Sequence, residues 1–212
     1  VMAFGVAKSL QTDVLEQSKG FLPPSNYFDK YYGKEGWKAI TVRSLSIGQG
    51  EIELTPLQLA NVGAIIANRG HYYPPHLVKK IEGDPDASER YKVKKEVPVG
   101  KKHFEKVIDG MQLVYDGEMG SARWYRYDTV TTLCGKTGTS QNPHGDNHSV
   151  FIAFAPREDP EIAIAVVVEN SGYGATWAAP VATLMIEKYL TGKVKPKWWE
   201  DKMLNADLIH KE

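Results

Sequence analysis
The sequence predicts a chain of the α/β class, α+β in type, with an antiparallel sheet covered by helices. Three observations carry this expectation. The runs DTVTTLCGKTGT, HSVFIAFAP and EIAIAVVVEN follow one another with connectors too short for a crossover helix, which makes them antiparallel neighbours. The third run alternates only weakly, as a strand buried on both faces does. Segments with helical spacing lie before and after these runs and can cover the sheet.

In chain order, residues 1–40 scatter turn signals (Gly20, Pro23-Pro24, Gly33, Gly36) among Tyr27, Phe28, Tyr31, Tyr32 and Trp37, and read as an irregular segment pinned by aromatics. TPLQLANVGAIIANRG is a strong helix. Thr55 suits the N-cap, Pro56 the first position and Gln58 completes a capping box, while Gly70 ends it. Its mostly apolar surface predicts burial on most sides. RYKVKKEVPV, whose Tyr91, Val93 and Val97 alternate with charges, reads as a one-sided strand in a peripheral hairpin near 71–98. Phe104, Val107, Ile108, Met111 and Val114 sit at helical spacing over 102–115, with Lys101, Lys102, Glu105, Lys106 and Asp109 as the wet face. A last helix spans about 180–190 and stops at Gly192. Trp198-Trp199 falls in a packed or loosely ordered tail, and packing is also the simpler role for Trp124 and Trp177.

Composition excludes several functions. The 212 residues carry 26 basic and 26 acidic side chains, so no charge imbalance steers the chain to nucleic acid. Its longest apolar run, Ile162 to Val168, is too short for a membrane span. The single cysteine, Cys134, permits neither an intrachain disulfide nor a multi-cysteine zinc site, and reads as a small apolar residue packed in a strand. His144, Asp146 and His148 form an H-x-D-x-H string, but in a Gly/Pro/Asn-rich loop where polar side chains are expected anyway, so neither metal nor cofactor is assigned.

The Gly-Lys-Thr at 135–137 admits two chemistries. A phosphate loop needs glycine five residues earlier, where Val130 stands, and a helix directly after, where Gly138-Thr139-Ser140-Gln141-Asn142-Pro143 makes turns instead. As a strand, the stretch points Thr137 and Thr139 to one side and Lys136 and Gly138 to the other. Two hydroxyls on one face can grip a carboxylate. The bare Gly138 lets a peptide lie along the edge, Lys136 adds positive charge beside an anion, and a backbone N–H at Thr139 can face a developing oxyanion. The same residues also read as an ordinary surface strand ending in a polar turn.

The order and spacing of SLSIGQGEIELTPLQLANVGAIIANRGHYYPPHLVKKI, GMQLVYDGEMGSA, GKTGTSQ, FIAFAP, IAIAVVVEN and GYGATWAAPVATLMIEKYL resemble the C-terminal half of the transpeptidase domain of class B penicillin-binding proteins, most like the cell-elongation type, penicillin-binding protein 2. The resemblance covers essentially the whole chain. It implies an incomplete penicillin-binding/β-lactamase-like fold, with residues 1–212 the C-terminal part of one transpeptidase domain. It also implies a D,D-transpeptidase that cross-links peptidoglycan stem peptides through a serine acyl-enzyme and is trapped by β-lactams. The family's third motif falls on Lys136, Thr137, Gly138 and Thr139: the threonines would hold the terminal carboxylate, the Thr139 N–H would supply half of the oxyanion hole, and Lys136 would support the electrostatics.

No Ser-x-x-Lys occurs in the chain, so the resemblance places the nucleophile and the second motif before residue 1. Ser140-Gln141-Asn142 follows the third motif instead of preceding it and is an accidental match to Ser-x-Asn. Elongation partners, a membrane anchor and a place on the periplasmic face of the inner membrane are inherited expectations. Without the earlier strands, one sheet edge and the underside of the Thr55 helix should lie uncovered and favour self-association. A non-catalytic peptide- or partner-binding module of the same fold is the alternative, and residues encoded before Val1 separate the two.

Overall fold
The computed structural model describes residues 1–14, 18–128 and 130–209. The elements are α1 (Ser25–Tyr32), α2 (Ala39–Ser46), α3 (Pro56–Ala67), β1 (His71–Tyr72), β2 (Lys95–Glu96), α4 (Lys101–Asp116), β3 (Cys134–Ser140), β4 (His148–Ala155), β5 (Ile162–Val168), α5 (Ala178–Thr191) and α6 (Trp198–Leu204). The central sheet runs β3-β4-β5 and is antiparallel throughout. Its register sets Thr137 opposite Phe151 and Thr139 opposite Ser149.

That register sorts side chains onto two faces, because successive residues of a strand point opposite ways. Phe151, Ala153, Ala155 and Ile164 meet Ala178, Ala179, Ala182 and Ile186 of α5, with Tyr115 at the edge of the Phe151 ring. On the opposite face Cys134 and Phe154 meet Ile65 and Ala67 of α3 and Phe104, Ile108 and Met111 of α4. The alanine stripe of α5 lets the helix approach the sheet closely. Tyr115 is buried there with its hydroxyl 2.9 Å from Thr183 Oγ1, so its polar tip is satisfied inside an apolar core.

Several elements depart from the sequence-based expectation. Residues 1–40 are not wholly irregular, since α1 forms where Pro24 sets the extended N-cap and aromatic pairs lie four residues apart. Tyr27 meets Tyr31 at 4.4 Å, Phe28 meets Tyr32 at 6.1 Å, and Phe28 is buried against Trp37. The expected strand RYKVKKEVPV shrinks to β2, and residues Pro85–Lys92 wind into a 3-10 helix instead. Tyr91 is drawn out of alternation by stacking on His76 at 4.4 Å, and Val93 is left exposed. β2 pairs with β1, joining the two ends of the 71–98 segment.

In α4 the buried stripe is Phe104, Ile108, Met111 and Tyr115, and Val107 faces water. The strand expected from Asp128 begins only at Cys134, because the Asp128 carboxylate accepts from the Val130 and Thr131 N–H groups and closes a turn; Thr129 lies outside the described residues. β5, expected to be buried on both faces, buries only Ile164 fully, since no described strand pairs with its outer side. Tail residue Trp199 is packed in α6, against Tyr125, and Trp198 is exposed.

α3 begins as its sequence dictates. Thr55 Oγ1 accepts from the Gln58 N–H at 3.2 Å and Gln58 Oε1 accepts from the Thr55 N–H at 3.0 Å, the reciprocal capping box. Gln58 has a second task that spacing does not reveal. It is buried, and its Nε2 donates toward three carbonyls of the preceding segment: Lys19 at 2.8 Å, Gly5 at 3.1 Å and Lys8 at 3.2 Å. One amide thus gathers the N-terminal segment onto α3. At the other end of the chain, buried Glu187 of α5 pairs with Lys197 Nζ and accepts from the Lys195 N–H at 3.2 Å, tying α6 to α5.

Two predictions follow from this packing. Replacing Gln58 with the similar-sized Leu keeps the volume but strands buried carbonyls, so Gln58→Leu is expected to destabilise the fold by about 3 kcal/mol in urea denaturation. Burial pushes the Cys134 thiol from an ordinary 9.0 up to about 12. Because the folded value lies above the unfolded one, the contribution to stability is whole below about pH 9 and is lost as pH climbs toward 12. Native protein at pH 8 should leave Cys134 unmodified by Ellman's reagent and denatured protein should react fully; rapid reaction of the native form would contradict this.

Candidate functional site
β3 is an edge strand, and the chemistry gathers on its open side. Its N-terminal half is locked in the core through Cys134 and Gly135, whereas Lys136 to Ser140 emerge toward solvent. The register places Thr137 and Thr139 on the α5 face and Lys136 and Gly138 on the α3 face, with no phosphate-loop geometry, since the Gly-Lys-Thr runs inside a strand.

The N–H and C=O of one residue in an antiparallel strand point to the same edge, and adjacent residues point to opposite edges. The Thr139 C=O is reached from outside the sheet by Gln49 Nε2 at 2.8 Å. The Thr137 C=O is reached by Lys136 Nζ at 2.7 Å. Residues 137 and 139 therefore present their backbone groups outward, and the Thr139 N–H faces the open edge. A donor fixed in that direction can stabilise negative charge on an oxygen brought alongside it.

The two hydroxyls are held rather than free. Thr137 Oγ1 lies 3.1 Å from Ser121 Oγ, on the loop after α4, and Thr139 Oγ1 accepts from the Gly174 N–H at 3.4 Å. Gly174 sits so close over the strand that a Cβ there would lie 2.2 Å from the Gly138 C=O and 2.5 Å from the Val150 C=O. Only glycine fits, and it brings the 171–177 loop down beside the threonines. Ser149, buried opposite Thr139, reinforces that loop by donating to the Tyr173 C=O at 2.9 Å and accepting from the Ala178 N–H at 3.0 Å.

On the Gly138 face a cleft of about 420 Å³ opens between the sheet and the start of α3, bounded by Ile52, Leu54 and Leu59 on one side and Gly138, Val150 and Val167 on the other. His148, from the H-x-D-x-H string, accepts through Nδ1 from the Asn170 N–H at 3.0 Å. The structure therefore brings together the four residues of the Lys-Thr-Gly-Thr stretch and adds Gln49, Ser121 and Gly174. Those three carry no motif of their own in the sequence, and no local periodicity marks a contact across 90 residues.

A family model described as penicillin binding protein transpeptidase domain matches residues 1–187. The peptidoglycan D,D-transpeptidase MrdA of Haemophilus influenzae is 29% identical over 213 residues, covering 90% of this chain and 32% of the relative. The peptidoglycan D,D-transpeptidase PbpA of Mycobacterium tuberculosis is 32% identical over 163 residues, covering 70% and 32%. The chain spans about a third of the length of these curated relatives.

Among solved structures, penicillin-binding protein 2 of Pseudomonas aeruginosa, in complex with WCK 5153, superposes with a TM-score of 0.80 at 32% identity over 93% of this chain and 43% of that one. The complex of penicillin-binding protein 2 and MreC from Helicobacter pylori gives 0.74 at 25% identity, over 90% and 34%. The imipenem acyl-enzyme complex of penicillin-binding protein A from Mycobacterium tuberculosis gives 0.69 at 28% identity, over 90% and 40%. With a family model matching residues 1–187 and overall superposition on a penicillin-binding protein 2 at 32% identity, the chain belongs to the penicillin-binding protein transpeptidase domain family, in its penicillin-binding protein 2 branch.

Proposed function
We propose that residues 1–212 are the C-terminal part of a single transpeptidase domain and supply one wall of the active site of a peptidoglycan D,D-transpeptidase. The observation that carries this reading is the open edge of β3, with the Thr137 and Thr139 hydroxyls on one face and the Thr139 N–H turned outward. A stem peptide lies along that edge, its terminal carboxylate bound by the two hydroxyls with Gly138 leaving room for its backbone. Lys136 contributes positive charge beside the carboxylate.

The reacting serine comes from polypeptide outside residues 1–212, since no Ser-x-x-Lys is present in them. Its hydroxyl oxygen adds to the penultimate carbonyl, and the Thr139 N–H holds the developing oxyanion. Expulsion of the terminal amino acid leaves an ester. The amine of a neighbouring stem then attacks that ester, forms the new peptide bond and returns the serine. A β-lactam meets the same serine and stays attached.

The whole protein acts on the periplasmic face of the inner membrane, held by an anchor that also lies outside these residues; no helix among the described residues is long and apolar enough to cross a membrane. Its partners are those of cell elongation, in keeping with the MreC complex of the Helicobacter pylori relative. The outer side of β5, which pairs with no strand among the described residues, supports self-association of residues 1–212 when they are isolated.

Fluorescent penicillin should label the full-length protein and leave isolated residues 1–212 unlabelled. Thr137→Val and Thr139→Val should each slow labelling of the full-length protein about tenfold or more, the weight of one hydrogen bond to a charged group. Stable covalent labelling of residues 1–212 alone would place the nucleophile within them and refute the assignment.

A further inference from the structure
Gln49 touches the strand edge just past the Lys-Thr-Gly-Thr stretch. The turn that carries it has glycine on both sides, Gly48 at φ 75° and Gly50 at φ 74°, left-handed conformations that glycine adopts without steric cost. Between them the Gln49 side chain is aimed at the outer edge of β3. Its Nε2 donates to the Thr139 C=O at 2.8 Å, and its Oε1 accepts from the Gln141 N–H at 3.3 Å.

A primary carboxamide carries the donor and the acceptor of a peptide group. Here it takes the C=O of one residue and the N–H of the residue two further on, the pair that one residue of a neighbouring parallel strand would take. Gln49 therefore stands in for a missing strand at a single position. Without it, the backbone of Thr139 and Ser140 would be an edge end paired with β4 alone.

We infer that Gln49 is a positioning residue for the acylation step. Resting on the transpeptidase reading above, it fixes the peptide planes that follow Thr139 and so keeps the Thr139 N–H aimed at the open edge and its hydroxyl on the α5 face. It acts through β3, and the reacting atoms are met by Thr139. Anchoring comes from a turn some 90 residues away, so the aim of the oxyanion donor depends on how the 47–51 turn docks on the sheet.

The test is penicillin acylation of the full-length protein, resolved into the non-covalent binding constant and the acylation rate constant. Gln49→Glu is close to isosteric and can still accept from the Gln141 N–H, but offers the Thr139 C=O no donor; Gln49→Ala removes both contacts. Both variants are expected to lose at least about tenfold in the acylation rate constant, the weight of the hydrogen bond to the Thr139 C=O that both lack. Non-covalent binding should change by less than about twofold, and amide exchange at Gln141 should accelerate in Gln49→Ala. An unchanged or faster acylation step in both variants would overturn the inference, since the side chain would then be idle or a plug. A loss confined to non-covalent binding would also overturn it, making Gln49 a ligand contact. A wild-type protein that penicillin fails to acylate would sink the transpeptidase reading itself, and this inference with it.

Discussion
β3 has hydrogen-bonding groups along two edges, and β4 takes only one of them. Everything distinctive about the site depends on that unspent edge. The pairing of Thr137 with Phe151 and Thr139 with Ser149 decides which residues turn outward and which face each side chain joins. A slip of one residue would send both hydroxyls to the α3 side and turn the Thr139 N–H toward β4. Gly135 resists such a slip, since any side chain moved into its place would meet the Phe151 ring, with a Cβ only 2.4 Å from it.

Exposed strand edges invite unwanted pairing. In this protein the edge is short, flanked by the exposed Lys136 and occupied past Thr139 by the Gln49 carboxamide. What stays open is a segment a few residues long, bordered by the 171–177 loop that Gly174 admits and by Ser121 after α4. The two hydroxyls are pre-oriented by neighbours, Thr137 by Ser121 and Thr139 by the Gly174 N–H.

Much of this was legible in the sequence. The capping box at Thr55 and Gln58, the antiparallel run of three strands and the opposite faces of Thr137 and Lys136 all follow from short-range rules, and each involves residues a few positions apart. What escaped involves distance. Gln58 reaches residues 39 to 53 positions earlier in the chain, and Gln49 reaches Thr139, contacts that no periodicity encodes. The misread elements share a different cause. Tyr91 alternates correctly for a strand but stacks on His76, and Asp128 spends its carboxylate on a turn where β-branched neighbours promised extension, so side-chain chemistry overrode the pattern.

The Glu187–Lys197 pair gives the chain's end a weight that its surface position would not suggest. Both side chains are almost wholly shielded from water, with relative exposures of 1% and 8%. Peeling α6 away would leave a bare carboxylate inside the helix that roofs the α5 face of the sheet, an expensive state for a charge with no counterion. Proteolytic trimming or a fused tag near residue 197 would consequently be felt at the sheet itself, and the last turns of the molecule behave as a clasp on its interior.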